Sequence, residues 1–358
     1  MDHPLDGRLL RFVLQGEGSF DEIVRQVFAY QYERNVAYQR LCDARGVAPR
    51  SLEDWHQIPA VPVRAFKAMD LACEPLEQAE AVFESSGTTL GAHSRSRHFL
   101  FGLELYRASV VTHFRPYLIP DRERMVCRVL LPSSAEAPSS SLSRMMEFVL
   151  DAFGAEGSRH YVVGGGLLVD ELLRDLSGPT EPQMLLGASF SFVHLLDAMA
   201  SRGMALALPE GSRLMDTGGY KGRSREVPRE ELLAAYAARL GLDPALCVNE
   251  YGMCEMTSQF YEASLRDRLG GRSPSRWLKA PPWVRTQALD PATLRPVEPG
   301  EVGLLQHVDL ANRGSVMAIL TEDLGRVTQE GVQVFGRAST AEAKGCSITV
   351  DELLSTGH

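Results

Sequence analysis

The sequence predicts an α/β protein in which helices flank a mostly parallel sheet and a small β subdomain follows. Three observations carry this. Short apolar runs alternate with longer stretches at helical spacing between about residues 125 and 249. Past about residue 280 the texture changes to Pro-rich turns and β-type segments. Near the start, Ser19-Phe20-Asp21-Glu22 has the S-x-x-E form of a helix-opening capping box.

In chain order, Val24, Val27, Phe28, Tyr32 and Val36 follow that box at helical spacing and predict an amphipathic helix packed on the core. Met125-Leu131 reads as a strand, Leu142-Phe153 as a helix, His160-Val163 as a strand and Leu167-Leu176 as a helix. Met184-Gly187 then reads as a strand, Phe190-Met199 as a helix and Arg213-Asp216 as a strand. Pro228 opens a helix reaching Leu240, and Cys247-Asn249 is a short strand running into Glu250-Tyr251-Gly252. Strand-helix alternation of this kind builds a parallel sheet, whose nucleotide sites lie at the strand C-terminal ends. Val302-Val308, Val316-Leu320 and Val332-Phe335 form the β subdomain, among Pro281-Pro282, Pro296 and Pro299-Gly300. The predicted organisation is a helical segment over 1–79, an α/β nucleotide-binding core over 80–280, a β subdomain and hinge over 281–337 and a short tail over 338–358.

A chain of 358 residues, 44% hydrophobic and 23% charged, is long enough for a large core and has an ordinary soluble composition. Its formal charge of -9, with no basic run, argues against a nucleic-acid or anionic-membrane surface, so an anionic ligand would be held locally. Met1-Asp2-His3-Pro4 lacks the layout of a signal peptide, and the most apolar stretch, Met184 to Met199, is interrupted by Ser191, His194 and Asp197. A cytoplasmic location is expected. Six cysteines, at 42, 73, 127, 247, 254 and 346, show neither a C-x-x-C pair nor metal-ligand spacing.

Chemistry concentrates in four segments. Ser85-Ser86-Gly87-Thr88-Thr89-Leu90-Gly91 puts hydroxyls and glycines where consecutive N–H groups could turn toward one anion. Asp216-Thr217-Gly218-Gly219-Tyr220 and Asn249-Glu250-Tyr251-Gly252-Met253-Cys254-Glu255 each follow a predicted strand, and Thr321-Glu322-Asp323-Leu324-Gly325 precedes Gly336-Arg337. Taken singly, each is equally at home in a surface turn.

In this order the segments resemble the adenylate-forming (acyl-AMP synthetase) superfamily, over roughly residues 80 to 346. The resemblance makes Ser85, Ser86, Gly87, Thr88 and Thr89 the phosphate loop, with Thr88 catalytic, and implies that Gly218, Gly219, Tyr220, Asn249, Tyr251 and Gly252 hold the nucleotide. It implies that Tyr251 lies against adenine, that Glu255 is catalytic and reaches Mg²⁺, that Asp323 accepts the ribose hydroxyls and that Arg337 stands at the hinge. These roles suit an aromatic face, a hard oxygen ligand and a charged acceptor for a diol. Cys254 stands where the family pattern has threonine. Phe192, His194 and Met253 fall where the family places the acid, although a helix-face histidine is an equally simple account of His194. Arg95, Arg97 and His98, and Lys221, Arg223 and Arg225, put positive charge beside these segments, either near phosphates or on a solvated face.

Within the superfamily the chain looks closest to the shortened acyl-protein synthetases of the LuxE type. The resemblance implies an N-terminal-domain-like fold without the usual mobile C-terminal domain, since 21 residues follow Arg337 (358 minus 337). Lys344-Gly345-Cys346-Ser347 is similar to the segment carrying the cysteine that becomes acylated, so Cys346 is the expected acyl acceptor; an ordinary packed cysteine is the alternative. The implied cofactors are ATP and Mg²⁺. The implied reaction forms acyl-AMP with release of pyrophosphate, then passes the acyl group to a thiol. A fatty acid with transfer to cysteine or a partner protein, an aromatic acid with transfer to a separate carrier or coenzyme A, and a non-catalytic nucleotide-binding protein all stay open, as do the partner and the oligomeric state.

Overall fold

The computed structural model describes residues 3–85, 95–219 and 224–338. Its contacts divide the chain into two units: 1–109 with 253–259 and 279–358, and 110–252 with 260–278. The N-terminal helices, the next thirty residues and the C-terminal β segments share the first unit.

In the second unit the predicted alternation becomes a six-stranded sheet. Its order is Phe260–Glu262, Cys247–Tyr251, Arg213–Thr217, Gln183–Ala188, Val126–Leu130 and Arg159–His160. All its pairings are parallel except that of Phe260–Glu262 with Cys247–Tyr251. Gln183–Ala188 and Arg213–Thr217 are buried at every residue, as expected of central strands covered on both faces. The helix Arg229–Leu240 starts after Pro228 and stops at Gly241 in the left-handed conformation. On one side of the sheet Leu185, Phe192, Leu214, Leu232, Tyr236 and Cys247 share one apolar cluster. Gly187 has a packing reason: a Cβ there would lie 2.9 Å from the Leu130 Cβ and 3.2 Å from the Phe192 ring.

The first unit carries the helices Pro4–Gln15, Phe20–Arg34 and Val36–Ala44. Ser19 Oγ accepts from Glu22 N at 3.3 Å, so the predicted cap forms. The helix ends sooner than the spacing implied. Asn35 caps the next helix through Tyr38 N, and Val36 is exposed rather than core. The β subdomain is an antiparallel ladder of Val284–Leu289, Val302–Asp309, Ala318–Thr328 and Gly331–Arg337. Val61–Pro62 adds a parallel pair to Ala318–Thr328, and Ala81–Glu84 pairs with Arg97–Leu100 as a separate hairpin. Among the described residues no helix is long and apolar enough to cross a membrane.

Candidate functional site

In the first unit, Ala81–Glu84 and Arg97–Leu100 bracket the Ser/Thr/Gly segment. Ser86, Gly87, Thr88 and Thr89 lie outside the described residues, but the stem below them does not. Ser85 N donates to Ser96 O at 3.1 Å, and Ser96 N donates to Ser85 Oγ at 3.0 Å. Ser96 is fully buried, and its hydroxyl donates to a carboxylate oxygen of Glu255. Glu255 is itself 5% exposed. Burial pushes its carboxyl up, and the Ser96 hydroxyl opposes that shift.

Glu255 has no cation at ion-pairing distance among the described residues. Besides the Ser96 hydroxyl, its own backbone N–H and the charges of Arg337 and Lys67 act on it. A buried carboxylate of this kind is a hard-oxygen donor. Mg²⁺ typically takes one or two carboxylates and completes its shell with water and substrate phosphates. No cluster of three or more His, Cys, Asp or Glu able to hold a metal occurs among the described residues. The donor set therefore fits an ion brought in with a polyphosphate, and not one enclosed by protein ligands alone.

The basic residues beside this loop are engaged locally. Arg95 pairs with Glu84 at 3.2 Å and Arg97 with Asp70 at 2.7 Å. His98 is buried, with Nδ1 at 2.9 Å from Cys254 O and Nε2 at 2.8 Å from Asn312 Oδ1. Positive charge next to the loop thus braces its own unit. Asp323 faces Arg337 across the hairpin register, with Nε and Oδ1 4.0 Å apart. The Asp323 side chain is mostly covered and the Arg337 guanidinium is largely exposed. Neighbouring Glu322 is bound to Arg64. Met253 is half-buried in this unit.

In the second unit the two remaining motifs sit at adjacent strand ends, where Asn249 registers with Asp216 and Glu250 with Thr217. Gly218 has φ +69°, a conformation that favours glycine, and its carbonyl accepts from Ser189 Oγ at 3.1 Å. Gly219 and Gly252 flank these ends, while Tyr220, Lys221 and Arg223 lie outside the described residues; Arg225 pairs with Asp197 at 3.0 Å. Tyr251 is half-buried, its ring tilted 69° against Phe260 at 5.7 Å.

Asn249 Nδ2 donates to Asp216 Oδ1 at 2.9 Å and to Asp216 O at 3.2 Å. Asp216, wholly buried, is held in turn by Arg229 at 2.5 Å and by the Tyr236 hydroxyl at 2.9 Å. Glu262 accepts from Arg229, Arg276 and Asn249 N, completing a buried ionic network behind these two motifs. Glu250 points to the opposite face of its strand. Burial pushes its carboxyl up to about 7, and among the described residues Thr217 Oγ1 donates to it.

The expectation for Phe192 needs correcting. It has no exposed surface and packs edge-on against Tyr236 at 5.6 Å inside the apolar cluster, so its ring is core and not pocket wall. His194, two residues along the helix Ser189–Ser201, is exposed, its ring 6.4 Å from Phe190. Ser96, Asn312, Asp216 and Glu262 were not anticipated. One signal did exist for Ser96 and His98: in Arg95-Ser96-Arg97-His98 the two arginines point outward and Ser96 and His98 inward, a period of two that already reads as a strand.

Cys346 and Lys344 lie outside the described residues. Of the cysteines described, Cys42, Cys73, Cys127 and Cys247 are buried, and burial pushes each thiol up to about 12; Cys254 is half-exposed.

A parallel sheet with a glycine turn at its strand ends, an antiparallel β subdomain and a lone buried carboxylate beside a hydroxyl-rich loop define the frame of an adenylate-forming ligase. Solved structures share the fold. The chain is similar to 2-hydroxyisobutyryl-CoA ligase in complex with 2-HIB-AMP, with TM-score 0.66 and 16% identity, covering 88% of this chain and 66% of that one. It is also similar to ATP-bound MatB from Rhodopseudomonas palustris, with TM-score 0.51 and 18% identity, covering 74% of this chain and 49% of that one. The chain therefore spans about two thirds of the first ligase and half of the second.

The model of the acyl-protein synthetase family LuxE matches residues 14–355, and the chain belongs to that family. It is 24% identical over 353 residues to the long-chain-fatty-acid–luciferin-component ligase of Aliivibrio fischeri, covering 93% of this chain and 88% of that protein. It is 23% identical over 350 residues to the protein of the same name in Vibrio harveyi, covering 92% and 86%.

Proposed function

We propose that this chain activates a carboxylic acid, a long-chain fatty acid first among candidates, as acyl-AMP and then passes the acyl group to a thiol. The observation that carries this is the buried Glu255 carboxylate fastened to the stem of the hydroxyl-rich loop. The names of the two ligase relatives support the acid.

In the first step a carboxylate oxygen of the acid attacks the α-phosphorus of ATP, and the bond from that phosphorus to the pyrophosphate oxygen breaks. The acid is already ionised at neutral pH, so no general base is required, and the chain's task is to position the reactants and neutralise charge. Mg²⁺, held by Glu255 and the phosphates, supplies charge neutralisation when bound. Ser85, Ser86, Gly87, Thr88 and Thr89 donate to the phosphates, Asp323 accepts the ribose hydroxyls, and Tyr251 with Gly218 and Gly219 lies along adenine. Glu322 cannot share the role of Asp323, because Arg64 occupies it.

In the second step a thiolate sulfur attacks the acyl carbon, the bond to the AMP oxygen breaks, and AMP leaves. Cys42, Cys73, Cys127 and Cys247 are poor acceptors, since thiols pushed up to about 12 stay protonated near neutral pH. Cys346 is the proposed acceptor, with a partner protein as the onward destination.

The test is ATP–pyrophosphate exchange across fatty and aromatic acids, followed by transfer of labelled acid to protein in wild type and Cys346→Ser. Fatty-acid-dependent exchange in both, with a protein adduct in wild type alone, is the expected result. Absence of acid-dependent exchange across the whole panel would overturn the activation step, and an equal adduct in Cys346→Ser would overturn the acceptor.

A further inference from the structure

Met253–Gln259 forms no helix and contributes to no strand, yet side chains hold it almost residue by residue. The Cys254 carbonyl meets His98 Nδ1 at 2.9 Å, and the Glu255 carbonyl accepts from Asn312 Nδ2 at 2.8 Å. Asp309 accepts from Thr257 N at 3.0 Å, Thr257 Oγ1 at 3.2 Å and Ser258 Oγ at 2.8 Å. Trp283 Nε1 donates to Ser258 Oγ at 3.0 Å. A backbone stretch that exchanges ladder bonds for buried side-chain partners is fixed in one conformation, because each bond lost would leave a buried polar group unsatisfied.

The clamp has a direction. Asn312 spends both amide hydrogens on carbonyls, those of Glu255 and of Val316 at 2.9 Å, so its oxygen is the atom turned to His98 Nε2; both ring nitrogens of His98 thus face acceptors, and because burial favours the neutral ring, the imidazole donates to one of the two and only the imidazolium would donate to both. His98 is 1% exposed, with the Phe66 ring edge-on at 6.1 Å, so the imidazole is wedged. Ser96 stands two residues before His98, on the same inward face, and grips the Glu255 side chain itself. Ser96 also closes the stem of the hydroxyl-rich loop through Ser85. One inward-facing edge of four residues therefore touches the loop base, the Glu255 carboxylate and the main chain beside it.

We propose that Ser96 and His98 are positioning residues for a divalent metal: Ser96 hydrogen-bonds one carboxylate oxygen of Glu255 and leaves the other for the ion, while His98, through Cys254 and Asn312, locks the main chain that aims it. Neither touches substrate. This rests on the assignment of Glu255 to the metal made above. Partners that orient a metal-binding carboxylate typically contribute 10- to 100-fold in metal affinity.

The experiment measures Mn²⁺ binding by electron paramagnetic resonance, with full-length protein and a non-hydrolysable ATP analogue. Wild type is compared with Ser96→Ala and His98→Asn, and thermal melting is recorded alongside. Ser96→Ala removes a single oxygen and serves as the variant least able to disturb folding; His98→Asn keeps a donor for one carbonyl. The expected result is Mn²⁺ affinity weakened roughly tenfold or more by each variant. Metal-free binding of the analogue should stay within about twofold of wild type, and pyrophosphate exchange should recover at high Mg²⁺.

Equal Mn²⁺ affinity in wild type and Ser96→Ala would overturn the role of Ser96, and the same outcome in a folded His98→Asn would overturn that of His98. Wild type binding Mn²⁺ with the analogue only when Glu255 is intact keeps the metal assignment standing in either case. Wild-type binding unaffected by Glu255→Gln removes that assignment and the proposal together.

Discussion

Glu250 gives the sharpest test of the electrostatics. It is 4% exposed, and burial, opposed by the Thr217 hydroxyl, moves its carboxyl from 4.5 to about 7. The consequence for stability has a definite sign. Below about pH 4.5 the group is protonated in both folded and unfolded chains. Between there and about 7 the folded chain keeps a proton that the unfolded chain has released, so stability falls as pH rises. Above 7 both are ionised and the full cost persists. At about 1.4 kcal/mol per unit, the interval from 4.5 to about 7 corresponds to about 3 kcal/mol.

Glu250→Gln abolishes the titration and keeps an acceptor for Thr217. The variant should therefore gain stability relative to wild type by about 3 kcal/mol between pH 4.5 and 8, or roughly 6–12 °C in Tm for a domain of this size. Asp309, pushed up to about 6, and His307, pushed down to about 3, titrate in both proteins and cancel in the difference. Thermal melts at five pH values from 4.5 to 8.5 provide the data. A difference that stays constant with pH, whatever its size, would refute the argument, because only a titrating buried carboxyl makes it slope.

Asp323→Ala should raise the KM for ATP roughly 10- to 100-fold, from loss of two charge-assisted bonds to the ribose, and should leave the KM for 2′,3′-dideoxy-ATP nearly unchanged; equal effects on both nucleotides would remove Asp323 from the ribose. Phe192→Ala should lower stability by about 3–5 kcal/mol as a core truncation, measured by urea unfolding. A folded Phe192→Ala of wild-type stability with altered acid preference would return Phe192 to the pocket. Brief alkylation of the native protein at pH 7.5, read by peptide mass spectrometry, should leave Cys42, Cys73, Cys127 and Cys247 unmodified while modifying Cys254. Modification of any of the buried four at the rate of Cys254 would contradict their assignment as protonated core groups.

Much of the fold was legible because its repeating parts announce themselves. Central strands such as Gln183–Ala188 contain continuous apolar runs, here from Met184 on, and helices such as Ser141–Phe153 carry apolar residues at regular spacing. The helix Leu103–Leu118 escaped notice because it is buried on more than one side, with Leu105, Tyr106, Ala108, Val110, Phe114 and Tyr117 all covered, and carries Pro116 near its end. Phe192 was misassigned because spacing places it on a helix after a strand but does not say which flank meets Tyr236. The four motifs are contiguous runs that the local sequence displays. Their braces could not be read there, since Ser96 to Glu255 spans 159 positions and His98 to Asn312 spans 214, distances at which one chain offers no pattern.

The division of the chain carries a consequence for engineering. Residues 253–259 belong to the first unit although both flanking stretches belong to the second. The motif from Asn249 to Glu255 accordingly changes unit between Gly252 and Met253. Neither unit is encoded by a single uninterrupted stretch of gene, so no one pair of restriction sites excises either whole. Exchanging one unit between relatives therefore requires crossovers at several places, one of them within the seven residues from 249 to 255.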